Sequence, residues 1–265
     1  MQEGISYRFT RAVVRSPCSN IVNGLRAVDN GAPDFDLFRA EHAAYVSTIE
    51  SLGLEVTVLP ALEEFPDSVF IEDTALCLPE GAIILRPGAD SRLGEARESA
   101  RALAGIGLDL AEISPGGTVD GGDILVTGTA VLVGLSARTN LAGFESLREI
   151  LVRWGYDAMA VRTPADVLHF KSDCNALDDD TLLCTSRIAA DPQLGEYRIL
   201  IVPPGEEAAA NSIRINEKVL VPAGFSGTAE MLANSGFDAE LLSARQPALL
   251  DGGLSCMSLR FSSSG

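Results

Sequence analysis

Residues 119–139 read VDGGDILVTGTAVLVGLSART: a polar lead-in, a short apolar run, a tight turn, a second apolar run and a polar exit. Short apolar runs of this length on either side of a turn predict a β-hairpin. The unit recurs along the chain as VFIEDTALCLPEGAIILRPG from Val69, LHFKSDCNALDDDTLLCTS from Leu168, NSIRINEKVLVPAG from Asn211 and GGLSCMSLRF from Gly252. Self-similarity at this spacing suggests a solenoid or a propeller. The last unit lacks its second strand, and the N-terminal run FTRAVVRSP (Phe9–Pro17) is available to complete it. Pairing the two ends of the chain would close a ring and remove exposed sheet edges.

Helical patterns fill the gaps: DFDLFRAEHAAYVSTIESLG ending at Gly53, SRLGEARESARALAGIG at Gly107 and LAGFESLREILVRWG at Gly155. A terminal glycine is a helix stop signal. Each pattern is followed by another strand-like run, LEVTVLP, LDLAEIS and YDAMAVR. The reading is an α/β protein, a five-bladed ring of ββαβ blocks, although propensity alone also admits a doubly wound sheet. No linker rich in Pro, Gly or Ser divides it, so one domain is expected over residues 1–265, with the propeller at about 8–261 and a short tail, SSSG, at 262–265.

Composition narrows the partners. A formal net charge of −17 opposes nucleic acids and anionic membranes, because long-range repulsion must first be overcome. The start MQEGISYRFT lacks a basic n-region and an apolar h-region, and no uninterrupted apolar run reaches about 18 residues, so a cytoplasmic location is expected. Five cysteines, at 18, 77, 174, 184 and 256, show no CxxC pair or zinc-type spacing and are expected as thiols. Cys77 and Cys184 lie in apolar runs, where cysteine acts as a small hydrophobe.

Only two histidines exist. His42, among charged neighbours on an amphipathic helix, is expected to be solvated or capping. His169 opens a hairpin unit, and in a ring of repeats equivalent segments converge on one site. That convergence collects Glu72, Asp73, Asp120, Asp123, His169 and Cys256. Cys256 would be the nucleophile; His169 could take or share its proton, or donate one to a leaving group, and Asp120 could fix the imidazole tautomer. An Asp-Gly-Gly run is equally what a tight turn requires, since glycine tolerates positive φ. Carboxylates beside a thiol raise its pKa, so the site makes best sense if the substrate brings a cation, and a planar guanidinium fits paired carboxylates. Arg92 and Arg138, each just after the second strand of a unit, could clamp a carboxylate at the ligand's other end.

Together the blocks FPDSVFIED, RPGADSR, GGTVDGGDI, SARTN, LHFK and DGGLSCMSLRF make the chain, from about Arg8 to Phe261, resemble the dimethylarginine dimethylaminohydrolases of the guanidine-modifying (pentein) superfamily, five-bladed ββαβ propellers. The resemblance implies that Cys256 attacks the guanidine carbon to form a thiouronium intermediate. It further implies that His169 protonates the departing dimethylamine and then activates water, with Asp120 orienting it. Asp73 and Glu72 would hold the guanidinium, Asp67 with the backbones of Leu25 and Leu250 the α-amino group, and Arg92 and Arg138 the α-carboxylate. The products would be citrulline and dimethylamine or methylamine, with no metal or organic cofactor. The third triad acid is Glu in some relatives and Asp here.

Residues 15–35 resemble a lid over the substrate. The expected partner is a small molecule, a methylated arginine; a homodimer is left open. Arginine deiminase chemistry, or hydrolysis of citrulline or another guanidino or ureido amino acid, ranks second. A non-catalytic binder of the same fold, like a ribosome anti-association factor, would be expected to lack the Cys, His and acid set.

Overall fold

A computed structural model describes residues 3–262. Five three-stranded sheets form the blades of a ring. In chain order the elements are β1 (Arg11–Arg15), α1 (Phe35–Ser51), β2 (Glu55–Leu59), β3 (Ala75–Leu78), β4 (Gly81–Ile84), α2 (Leu93–Gly105) and β5 (Leu110–Glu112). They continue with β6 (Ile124–Val126), β7 (Val131–Leu135), α3 (Leu141–Arg153), β8 (Ala158–Arg162), β9 (Cys174–Ala176), β10 (Thr181–Cys184) and β11 (Arg198–Ile201). The chain ends through β12 (Ile213–Ile215), β13 (Lys218–Pro222), α4 (Ser226–Asn234), β14 (Asp238–Leu242), the single turn α5 (Arg245–Ala248) and β15 (Ser258–Phe261).

Every blade joins an antiparallel pair, a hairpin in all but the first, to a third, parallel strand. In the third blade Ile124 faces Val133, and Val133 faces Ala160 of the parallel strand. The chain termini close the ring as the sequence suggests: β15 pairs antiparallel with β1, Phe261 opposite Arg11, while β2 pairs parallel on the other side. Antiparallel strands need only a short turn, whereas the parallel return needs a crossover, and α1, α2, α3 and α4 supply it.

The fourth blade departs from the ββαβ reading. Between β10 and β11 only the 3-10 turn Pro192–Leu194 forms. Pro192, at the first position of that turn, bars a helix from running through it from the residues before, and Asp191 caps the short turn by accepting from Gln193 N at 2.8 Å.

Apolar seams between neighbouring blades hold the ring. Val13, Leu259 and Phe261 of the first blade pack with Ile71, Ala82 and Leu103 of the second. Leu125 and Leu132 meet Leu182 and Cys184 across the third and fourth, and Ile213 and Leu220 of the fifth return to Ala12 and Val14 of the first. Burying one Leu or Phe at such a seam contributes about 2 kcal/mol. Cys77 and Cys184 are core residues here, as are Cys18 and Cys174.

His42 corrects the sequence reading. It is neither solvated nor a cap: it lies with Phe38, Tyr45 and Ile49 on the buried stripe of α1, and its Nε2 is without a hydrogen-bond partner. Burial alone pushes it down to about 4, so it is a neutral core residue at pH 7.

Candidate active site

The lead-in of each hairpin is a 3-10 turn: Ile71–Thr74, Gly121–Asp123, Phe170–Ser172, Glu207–Asn211 and Ser255–Met257. These turns carry or adjoin the expected residues. Asp73 lies within the first, Asp120 and His169 directly precede the second and third, and Cys256 is the middle of the last.

The glycines serve close approach rather than positive φ. Neither Gly121 nor Gly122 has positive φ, but a Cβ on Gly121 would collide with the Glu72 carbonyl and one on Gly122 with the His169 ring. In the matching Asp251-Gly252-Gly253 turn it is Asp251 that takes φ of 55°.

A cleft of about 160 Å³ opens here, lined by Leu25, Asp67, Asp73, Arg92, Asp120, Arg138, His169, Leu250 and Cys256. His169 Nε2 lies 2.9 Å from Asp120 Oδ2, and Asp120 Oδ1 accepts from Gly88 N at 2.7 Å. Burial disfavours a charged imidazole, but Asp73, Asp120 and Asp123 outweigh it and raise His169 to about 9. That shift favours the doubly protonated imidazole, in which Nε2 donates to Asp120, while Nδ1 faces Gly122 beside Asp73.

Cys256 is in the opposite condition. Burial first, then Glu72 and Asp73, push its thiol up to about 12. Its Sγ accepts from Gly253 N at 3.4 Å, and among the described residues no hydrogen bond joins it to His169. Both shifts favour a neutral thiol beside a charged imidazole, the state in which His169 can donate a proton.

Asp73 accepts from Gly122 N at 2.8 Å and from Arg92. Burial would raise its carboxyl, yet His169 and Arg92 hold it down at about 2. Asp67 Oδ1 accepts from Leu25 N at 2.8 Å, and burial raises its pKa. The 15–35 segment reaches over the cleft through Leu25 and Ala27; Ala27 N donates to Asp251 across the mouth.

Two expected residues have other engagements. Arg92 lines the cleft, but its guanidinium is occupied by Asp73, Glu95 and the carbonyls of Asp67 and Phe70. Arg138 has no side-chain hydrogen bond or ion pair among the described residues, which leaves it open to an anion. Glu72 does not line the cleft. Its Oε1 accepts from Lys171 at 2.6 Å and Arg260 at 3.0 Å, and it lines a separate cavity of about 170 Å³ that shares no lining residue with the cleft. It acts on Cys256 through charge.

Sequence reasoning drew no site residue from the fourth turn, Glu207–Asn211. Asn211 Oδ1 accepts from Ser255 N at 3.1 Å and its Nδ2 donates to Lys171 O, bracing the turn that holds Cys256. Its place at the head of the fourth hairpin unit was the available signal. Asp73, Asp120 and His169 also offer ligand atoms within 4.8 Å of one another, close enough to share a metal ion. The proton held on His169 competes with such a role. No helix among the described residues is long and apolar enough to cross a membrane.

No family model matches the chain. Over 254 residues it is 37% identical to an N(G),N(G)-dimethylarginine dimethylaminohydrolase of Pseudomonas aeruginosa, covering 96% of this chain and 100% of that one. The chain belongs to the dimethylarginine dimethylaminohydrolase family. A second dimethylarginine dimethylaminohydrolase, from Streptomyces coelicolor, is 34% identical over 94% of this chain and 96% of its own. The solved Pseudomonas aeruginosa dimethylarginine dimethylaminohydrolase, a cysteine-to-serine mutant complexed with citrulline, superposes with a TM-score of 0.92 at 36% identity, covering 96% of this chain and 100% of that one. The five-bladed α/β propeller is thus the family's fold.

Proposed function

We propose that the protein hydrolyses Nω,Nω-dimethyl-L-arginine, and its monomethyl counterpart, to L-citrulline and dimethylamine or methylamine, with Cys256 as nucleophile. The observation that carries this reading is geometric: Cys256, the Asp73 carboxylate and the His169–Asp120 pair line one cleft that has Arg138 at its side, with Glu72 and Asp73 raising the thiol pKa. Anionic neighbours that suppress a thiolate in the empty site become an asset once a guanidinium neutralises them.

The substrate guanidinium docks on Asp73, its α-carboxylate on Arg138 with Arg92 behind, and its α-amino group near Asp67 and the backbones of Leu25 and Leu250. Arrival of the cation lowers the Cys256 pKa, and the thiol proton passes to solvent water at the mouth of the cleft, leaving the thiolate. Sγ bonds to the guanidine carbon, and the bond from that carbon to the dimethylated nitrogen breaks as His169 Nδ1 gives up its proton. Dimethylamine departs, leaving a thiouronium on Cys256. Neutral His169 then takes a proton from water, the hydroxide oxygen adds to the same carbon, and the carbon–sulfur bond breaks as the hydroxyl proton passes to the departing sulfur, giving citrulline and the Cys256 thiol. Asp120 keeps the imidazole oriented in both halves.

We read residues 1–265 as one catalytic unit acting in the cytoplasm on a small molecule, with no nucleic-acid or membrane partner. The acidic charge supports this reading. A homodimer and independence from metal or organic cofactors belong to it as expectations. Replacing Cys256 by Ser should abolish turnover of dimethylarginine while citrulline still binds in a calorimeter; wild-type turnover would remove Cys256 from its role.

A further inference from the structure

We propose that Asp123 is a positioning residue that couples the Arg138 loop to the His169–Asp120 pair, holding the two ends of the substrate site at a fixed separation. The proposal rests on the dimethylarginine reading of the cleft and adds to it a residue outside the cleft lining.

Asp123 is fully buried, and its carboxylate accepts from three directions. Oδ1 accepts from Phe170 N at 2.8 Å, the first amide of the turn that directly follows His169. Oδ2 accepts from Ser136 Oγ at 2.7 Å and Thr139 Oγ1 at 2.6 Å, which flank Arg138 between β7 and α3. The two hydroxyls pass the constraint onward. Ser136 Oγ accepts from Arg138 N at 3.0 Å and Thr139 N at 3.1 Å, while Thr139 Oγ1 accepts from Asp120 N at 3.1 Å.

A single carboxylate therefore fixes the backbone behind His169, the backbone of Asp120 and the loop that presents Arg138. Arg138 has no side-chain partner of its own among the described residues, so its position depends on this loop. A substrate of fixed length must reach the loop with one end while presenting its guanidine carbon to Cys256 and His169 with the other. Misplacement of either end separates binding from chemistry.

Both hydroxyls direct their only hydrogen at Asp123 while accepting backbone N–H groups. An isosteric Asp123→Asn replaces one acceptor oxygen by a donor, leaving either both hydroxyl hydrogens or the Phe170 amide without an acceptor. Three carboxylates act on His169 from the surrounding turns, Asp73, Asp120 and Asp123, with Cys256 and Arg138 lining the same cleft. Removing the Asp123 charge should lower the His169 pKa.

The test combines steady-state kinetics on dimethylarginine with a proton NMR titration of the chain's two imidazoles. Asp123→Asn is expected to raise KM and lower kcat, each by about tenfold, the scale of losing a hydrogen bond to a charged group. It should also move the His169 midpoint to lower pH. Ser136→Ala is expected to raise KM with the His169 midpoint unmoved, because it loosens the Arg138 loop alone. Thr139→Val is expected to lower kcat more than it raises KM.

A folded Asp123→Asn protein with wild-type KM, kcat and His169 midpoint would overturn the proposal. If that variant does not fold, Ser136→Ala with unchanged KM overturns it equally. Wild-type protein inert toward dimethylarginine would sink the substrate reading, whereas active wild-type protein with an Asp123→Asn variant unchanged in KM, kcat and His169 midpoint would sink the role of Asp123 alone.

Discussion

His42 on the outer helix and His169 at the ring axis are both largely withdrawn from water, yet they end at opposite extremes. Burial brings His42 down to about 4, and His169 is raised to about 9. Desolvation acts on both in the same direction. The difference lies in the company: His42 packs against Phe38, Tyr45 and Ile49 with an unpartnered Nε2, while Asp73, Asp120 and Asp123 surround His169. In the proposed mechanism His169 serves as an acid because the repeats deliver carboxylates around it.

Turnover should separate the two residues most widely. His169→Asn is expected to lower kcat by about a thousandfold, within the range of losing general acid–base catalysis, whereas His42→Leu should leave kcat within about twofold, since it touches no substrate. A large loss in His42→Leu protein of unchanged fold would break the contrast.

Removing the charged company should narrow the gap. Asp73→Asn takes away the carboxylate that contributes most to raising His169, so the His169 midpoint in an NMR titration should fall from about 9 toward the ordinary imidazole range near 6.5. A midpoint that stayed at 9 would assign the effect elsewhere.

The smallest consequence concerns stability. The unfolded chain protonates His42 near pH 6.5 while the folded chain resists until about 4, so stability contributed by neutral His42 is lost as pH falls across that window, by on the order of 3 kcal/mol. For His169 the sign is reversed: its contribution is complete below pH 6.5 and is lost as pH rises through about 9. Denaturant melts of wild-type and His42→Leu protein between pH 4 and 7 read the first effect. Equal acid sensitivity of the two proteins would contradict it.

Much of this was legible because hairpin repetition is a sequence property. Apolar runs and turn spacing locate the five blades, and convergence of equivalent turns brings Asp73, Asp120, His169 and Cys256 together without any contact being known. What escaped depends on where side chains point. Glu72 and Asp73 are adjacent, yet one faces Lys171 and Arg260 and the other the cleft. Charged neighbours disguised His42, although Phe38, His42, Tyr45 and Ile49 recur at helical spacing and mark one buried stripe. The fourth blade's missing helix was foreshadowed by Pro192 in a short crossover. Asp123 was collected at the site as one more carboxylate; only its three donors reveal what it does.

The proposed chemistry needs a cationic substrate whose leaving group is a methylated amine. Initial rates of citrulline release should be measured side by side on asymmetric dimethylarginine, monomethylarginine, arginine and a citrulline blank. The methylated substrates should be turned over with a higher kcat/KM than arginine, and with dimethylamine or methylamine released in equal amount to citrulline. Faster citrulline release from arginine than from asymmetric dimethylarginine would contradict the assignment.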